Sequence, residues 1–300
     1  MSAVEIRPFR RSDRDQLTAL VNAHVGAVLP GVTLSVNATL SQLEREPDEH
    51  VVDPWVVERA TFVAVAEQRI VAAAHLVRYG DDARVGLGHR GAAELRWLIC
   101  WSSLAVGAGD RLAQAALAQA AAWGATRVHA DGALPAPGVY GVPDCWPHVR
   151  GIYERAGFRP HAEELLFAAD VQRLPRPGDA PLPGLTITRC VGDAAVVFAA
   201  DGPQGRVGLI ELEPDLTLGG LYASLAGWAE LWNLEVAEPW RRRGVGRFLV
   251  AHAADWLRLA GAQRLLDACG AEEDDHAAFL RACGWRQLAR IERGWTRERP

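Results

Sequence analysis

The sequence predicts a mixed α/β (α+β) chain of two tandem, related modules, each a mostly antiparallel twisted sheet flanked by helices. Three observations carry this prediction. Apolar runs of strand length alternate with longer stretches of helical period. A set of landmarks recurs 137 residues apart: Gly107 and Gly109 against Gly244 and Gly246, Leu112 against Leu249, and Gly124, Ala125 and Arg127 against Gly261, Ala262 and Arg264. A stretch at 174–184 holds four prolines and two glycines in eleven residues and separates the halves. The expected division is therefore a first module at 1–173, a linker at 174–184 and a second module at 185–300.

Taken in order, the first half reads as a strand at 4–9, a helix at 12–28 and a second helical stretch near 40–46. Strands follow at 61–66, 70–78 and 93–100, then a helix at 110–123, a strand at 127–130, a helix at 147–156 and a strand at 163–169. The second half reads as strands at 185–190, 195–200, 206–211 and 230–236, a helix at 245–260, a strand at 264–268, a helix at 276–282 and a strand at 286–293. Each strand assignment rests on a short apolar run rich in Val, Ile or Leu, and each helix on apolar residues three and four apart. The repeat extends upstream, where Ala93-Glu94-Leu95 matches Ala229-Glu230-Leu231 at 136, and downstream, where Gly157-Phe158 matches Gly284-Trp285 at 127. The second copy thus has a loop ten residues shorter. The helical insertion of the first copy has no counterpart there.

With 49% apolar and 23% charged residues, the chain can bury sizeable cores. A net charge of −5 excludes a general attraction to nucleic acid or to anionic membrane. All 32 basic residues are arginine, so the protein cannot be acylated on lysine side chains of its own. The five cysteines form no C-x-x-C pair, which argues against a disulfide framework and a structural zinc site; no metal is expected. No apolar run approaches 18 residues and the first ten residues hold no signal core, so a soluble, cytoplasmic protein is expected.

The most telling stretch runs from Val236 to Leu249: a strand, three arginines, two glycines one residue apart, then an amphipathic helix. Backbone N–H groups at such a turn, with the positive end of the helix behind them, form an anion cradle. A dinucleotide fingerprint is disfavoured, because Leu249 stands where the third glycine belongs and the run lies late in its module.

Val236, Pro239, Arg241, Gly244 and Gly246, on the fourth strand and third helix of the second module, resemble the pyrophosphate-binding motif of the GNAT N-acetyltransferase superfamily. The stretch at 279–285, and 152–158 in the first half, resemble the family's fourth-helix motif. The tandem layout is similar to that of two-module acetyltransferases such as mycothiol synthase. The resemblance implies acetyl-CoA as cofactor, its pyrophosphate on Arg241, Arg242, Arg243, Gly244, Val245, Gly246 and Arg247, and its pantetheine arm along Leu234, Glu235 and Val236. It implies direct acetyl transfer to an amine, the acceptor being a small molecule.

Such a transfer needs a base for the ammonium proton and an acid for the leaving thiolate. Glu230 is the expected base and Glu235 the second choice. The family's usual acid is a tyrosine on the fourth helix; that position is Leu280 in the second copy and Tyr153 in the first. The first copy also keeps Glu94 at the base-like position, but its cradle has lost the arginines and gained Asp110. The second module is therefore expected to bind the cofactor, with an acceptor pocket completed by the first module or by another subunit, as in a homodimer. A non-catalytic acyl-CoA sensor, and a structural module that binds no CoA, are the alternatives. The loop at 131–148, with Tyr140, Asp144, Trp146 and His148, reads as an aromatic acceptor wall or a packing loop. The tryptophans at 228, 232, 240 and 256 read chiefly as packing residues, with Trp228 or Trp232 open to an acceptor role. His252 and Asp255 read as a solvated helix face.

Overall fold

The computed structural model describes residues 4–44, 55–130, 133–192 and 195–297. The chain divides into two compact units: Met1–Glu164 with Ala289–Pro300, and Leu165–Leu288.

The first unit contains β1 (Glu5–Pro8), α1 (Arg14–Val28), α2 (Val36–Ser41), β2 (Val56–Ala66), β3 (Arg69–Tyr79), β4 (Ala92–Cys100), α3 (Asp110–Ala122), β5 (Arg127–His129), β6 (Val142–Pro143), α4 (Pro147–Arg155) and β7 (Phe158–Arg159). β8 (Ala162–Asp170) leads into the second unit, which continues with β9 (Thr186–Val191), β10 (Val196–Gly202), β11 (Gly205–Glu213), β12 (Trp228–Val236), α5 (Val245–Leu259), β13 (Arg264–Gly270) and α6 (Asp274–Cys283). β14 (Arg286–Arg293) and β15 (Thr296–Arg297) end the described chain.

In the first unit β1 to β4 form an antiparallel ladder, and β4 then pairs in parallel with β5. In the second, β9 to β12 repeat the antiparallel ladder and β12 pairs in parallel with β13. The repeat is exact in register. Glu94 pairs with His129 as the last contact of β4 with β5, and Glu230 pairs with Leu266 as the last contact of β12 with β13. A bulge falls two residues further on in each copy, at Arg96 and at Trp232, where the ladder to the preceding strand slips by one.

The division differs from the one expected at 174–184. β15 sits between β5 and β7, with Thr296 opposite His129 and Arg159, so the end of the chain belongs to the first unit. Trp295 is wholly buried there, edge-on to Tyr153 at 5.5 Å. The proline-rich stretch is not a free linker either. Leu174, Leu182 and Leu185 join the core of the second unit, and Arg258 donates to the carbonyl of Leu174 at 2.7 Å. Proline fixes φ and removes a backbone donor, which disfavours helix interiors and central strands but does not prevent packing.

The helical stretch expected near 40–46 starts earlier, at Val36, because Ser35 accepts from the Ala38 amide as an N-cap; positions 45 and 46 lie outside the described residues. The loop at 131–148 is a packing element of the first unit rather than an open wall. Trp146 is buried and donates to the His24 carbonyl at 3.3 Å, Val139 is buried, and Arg293 lies 4.4 Å over the Tyr140 ring. Positions 131 and 132 of that loop fall outside the described residues.

The core of the second unit is formed by Phe198, Ile210, Leu212 and Leu231 of the sheet against Val245, Leu249, Val250, Ala253 and Leu257 of α5 and Leu280 of α6. Each such side chain contributes on the order of 1.5–3 kcal/mol when fully buried. This packing holds the N-terminus of α5 at the edge of β12. Among the described residues no helix is long and apolar enough to cross a membrane.

Candidate active site

Beyond Glu230, β12 and β13 share no further register pairs, so the strands splay and one side of β12 from Leu231 to Val236 is left without a ladder partner. The opening is a cleft of about 810 Å³. Leu234, Glu235 and Val236 form one wall, Arg241, Arg242, Gly244, Val245, Gly246 and Arg247 the floor, and His276, Phe279 and Cys283 of α6 the other wall.

The floor is built for an anion. Arg242 and Gly244 adopt left-handed backbone angles (φ 60° and 85°), which turns the chain directly from β12 into α5. No side chain caps α5 and no acidic residue stands in its first turn, so its leading N–H groups and the positive end of its dipole face the cleft. A Cβ on Gly246 would lie 3.3 Å from Phe279 and one on Gly244 3.1 Å from Pro181, so side chains at either position would crowd the floor. Arg241 is held by its Nε donating to the Val236 carbonyl at 2.8 Å, and Arg242 pairs with Asp275 at 2.6 Å. Arg243 does not line the cleft; its guanidinium lies 5.4 Å over the Trp240 ring.

The corresponding turn of the first unit is closed by its own residues. Asp110, in the first turn of α3, accepts from the Gly107 amide at 3.4 Å and pairs with Arg155 of α4 at 2.9 Å. Ile152 of α4 stands where a Cβ on Gly109 would be. Glu94, only 8% exposed, accepts from the Tyr79 hydroxyl and pairs with Arg96 at 3.5 Å.

At the mouth of the splay in the second unit the carboxylates are less tied. Glu230 is half-buried, and burial pushes its carboxyl above the usual range; the charges of Glu213 and Asp267 add to this, while a hydrogen bond from Trp232 opposes it. Glu213 lies opposite Glu230 in the ladder and is also pushed up by burial. Glu235 is exposed on the cleft wall. Trp232 is 47% exposed, whereas Trp228, Trp240 and Trp256 are partly covered. His252 meets Phe248 edge-on at 4.5 Å, and one of its ring nitrogens is buried, so it is not the solvated residue expected.

Tyr153 does not line the cleft. It is 4% exposed in the first unit, with its ring against Phe158 and Trp295. Sequence reasoning passed over His276, which faces the cleft from α6, and its buried partner Asp267 on β13. Nε2 of His276 lies 3.1 Å from Oδ2 of Asp267, which is 3% exposed. Asp267 raises the basicity of the ring above that of an ordinary histidine, with Glu273 adding to it; burial pushes the Asp267 carboxyl up. The available signal was a single carboxylate in the otherwise apolar run Leu265-Leu266-Asp267-Ala268. Among the described residues no group of His, Cys, Asp and Glu could hold a metal ion.

The splayed parallel strand pair, with an arginine-lined helix N-terminus at its edge, leaves an open cleft with a positive floor. The model of the acetyltransferase (GNAT) family matches residues 186–285, the core of the second unit. The chain is 32% identical over 115 residues to an aminoglycoside N(6')-acetyltransferase type 1 of Stenotrophomonas maltophilia, covering 38% of this chain and 73% of the relative. Among solved structures, a tandem GNAT protein from the clavulanic acid biosynthesis pathway shares its fold at TM-score 0.60 and 15% identity over 98% of both chains. A GCN5-related N-acetyltransferase from Sphaerobacter thermophilus does so at 0.62 and 14% identity, over 98% of this chain and 94% of that one. A GCN5-related glucosamine N-acetyltransferase region of a fungal multi-domain GH3 beta-N-acetylglucosaminidase aligns at 0.64 and 18% identity, over 98% of this chain and 38% of that chain. The chain belongs to the GNAT family. It is an N-acetyltransferase of tandem two-module architecture.

Proposed function

We propose that the second unit binds acetyl-CoA in the 810 Å³ cleft and transfers its acetyl group to a small-molecule amine. The observation that carries this reading is the uncapped N-terminus of α5, ringed by Arg241, Arg242 and Arg247. Charge-assisted hydrogen bonds from arginine and from helix N–H groups suit a pyrophosphate, the dipole contributing about 0.3–1 kcal/mol. The unpaired side of β12 at Leu234, Glu235 and Val236 offers backbone groups to an extended pantetheine arm. Arg243 stiffens the turn through Trp240 rather than touching the anion.

When bound, acetyl-CoA supplies the thioester that the amine attacks. Glu230, at the apex of the splay, takes the proton of the acceptor ammonium directly or through a water, and burial tunes it for that role. Glu235 is the second choice, because it lines the cleft but is exposed. The carboxylates of Glu213 and Glu230 favour a cationic acceptor.

Calorimetry with acetyl-CoA tests the site. The wild type should bind, and Arg241→Ala and Arg247→Ala should weaken binding at least about tenfold; equal affinity in all three would overturn the assignment. Free-thiol release across an amine panel then finds the acceptor. The panel begins with aminoglycosides, the class in the name of the Stenotrophomonas maltophilia relative.

A further inference from the structure

We propose that His276 is the general acid of this cleft, delivering a proton to the departing thiolate, with Asp267 as the residue that positions its ring. The proposal rests on the reading that the cleft binds acetyl-CoA.

The argument starts from α6. His276 and Leu280 are four residues apart and so share one face of the helix. Leu280, at the position of the family's tyrosine, is fully buried in the core and carries no proton to give. One turn nearer the start of the helix, His276 lines the cleft instead. Its anchor lies at the right place in the sheet: Asp267 follows Leu266, the residue paired with Glu230, so the histidine is tied to the mouth of the splay beside the proposed base.

The hydrogen bond between Nε2 and the Asp267 carboxylate selects the ring orientation and leaves Nδ1 with no hydrogen bond among the described residues. The charged groups acting on the ring are Asp267 from β13 and Glu273 at the start of α6. Asp275, on the same turn of the helix, is engaged by Arg242, and Asp267 in turn pushes the Glu230 carboxyl of β12 upward. Asp267 and Glu273 favour the imidazolium.

The step balances within these residues. Glu230 first passes one ammonium proton to water, leaving the neutral amine. The amide C–N bond then forms as the thioester C–S bond breaks, Nδ1 of His276 gives its proton to the sulfur, and Glu230 takes the second proton as the amine nitrogen becomes the amide. Proton exchange with water restores both side chains.

The thiol product is the probe that separates a chemical role from a structural one. Ultraviolet absorbance of the thiolate, followed against pH with CoA bound, reports how far the site favours that anion. Wild-type protein should lower the thiol's titration midpoint by about one pH unit relative to His276→Gln, with Asp267→Asn in between. Acetylation of the amine identified by the panel should fall on the order of 10²-fold in kcat for His276→Gln. The high-pH limb of the rate profile should be lost, and acetyl-CoA affinity should stay within about threefold. Coincident thiolate titrations in wild type and His276→Gln would overturn the proposal while leaving the cleft assignment standing. Failure of wild-type protein to bind CoA would overturn both.

Discussion

Asp110 and Arg155 form a 2.9 Å ion pair across the first turn of α3, at the position where the second unit carries Arg247 and Ala282. The same repeat therefore presents a positive, open helix N-terminus in one copy and a neutralised, closed one in the other. Acetyl-CoA is expected to bind with a stoichiometry of one per chain, read directly by calorimetry. Two equivalent sites would contradict the role given to this ion pair.

Gly246 faces Phe279 across the cleft floor, and a Cβ there would lie at 3.3 Å. Gly246→Val is expected to leave the helix folded, valine being the better helix former of the two, while weakening acetyl-CoA binding at least about tenfold. Circular dichroism and calorimetry on the same preparation separate the two effects. Loss of helix with loss of binding would make the glycine structural instead.

Glu230→Gln removes the proposed base without changing its shape. kcat should drop on the order of 10²- to 10⁴-fold, with acetyl-CoA affinity unchanged. Burial raises this carboxyl, so the low-pH limb of the wild-type rate profile should lie above an ordinary glutamate's midpoint. That limb should vanish in Glu230→Gln; if it persists, Glu235 is the next residue to replace.

Asp267 raises the basicity of His276, so the folded state holds that proton more tightly than the unfolded chain does. The stabilisation is complete below the histidine's unfolded pKa of about 6.5 and is lost as pH rises through the higher folded value. The stability advantage of wild type over His276→Gln in urea should therefore shrink from pH 6 towards pH 8. Asp267→Ala, which strips the buried partner away, is expected to cost about 1–3 kcal/mol at the low end of that range.

Trp295 packs against Tyr153 in the first unit although it lies near the end of the sequence. Trp295→Ala should destabilise by about 3–5 kcal/mol. Hydrogen exchange should show the loss around α4 and β5 and leave α5 protected. Deprotection confined to α5 would contradict the assignment of the chain end to the first unit.

The sequence by itself determined the two-module α/β architecture and nearly every strand and helix, and nine of the ten residues it marked for the cradle, all but Arg243, line one cleft. These rest on local rules: apolar periodicity, glycine where the backbone turns left-handed, and a repeat whose landmarks keep their spacing. Tertiary structure alone decided the rest. Strand pairing, which joins residues far apart in the chain, returned β15 to the first unit and gave the proline-rich stretch to the second unit's core. Packing of α4 buried Tyr153 and locked Asp110 to Arg155, and the register of β13 brought Asp267 to His276. Periodicity shows which face of an element is apolar. Which polar side chains meet across the splay is set by how the elements pack.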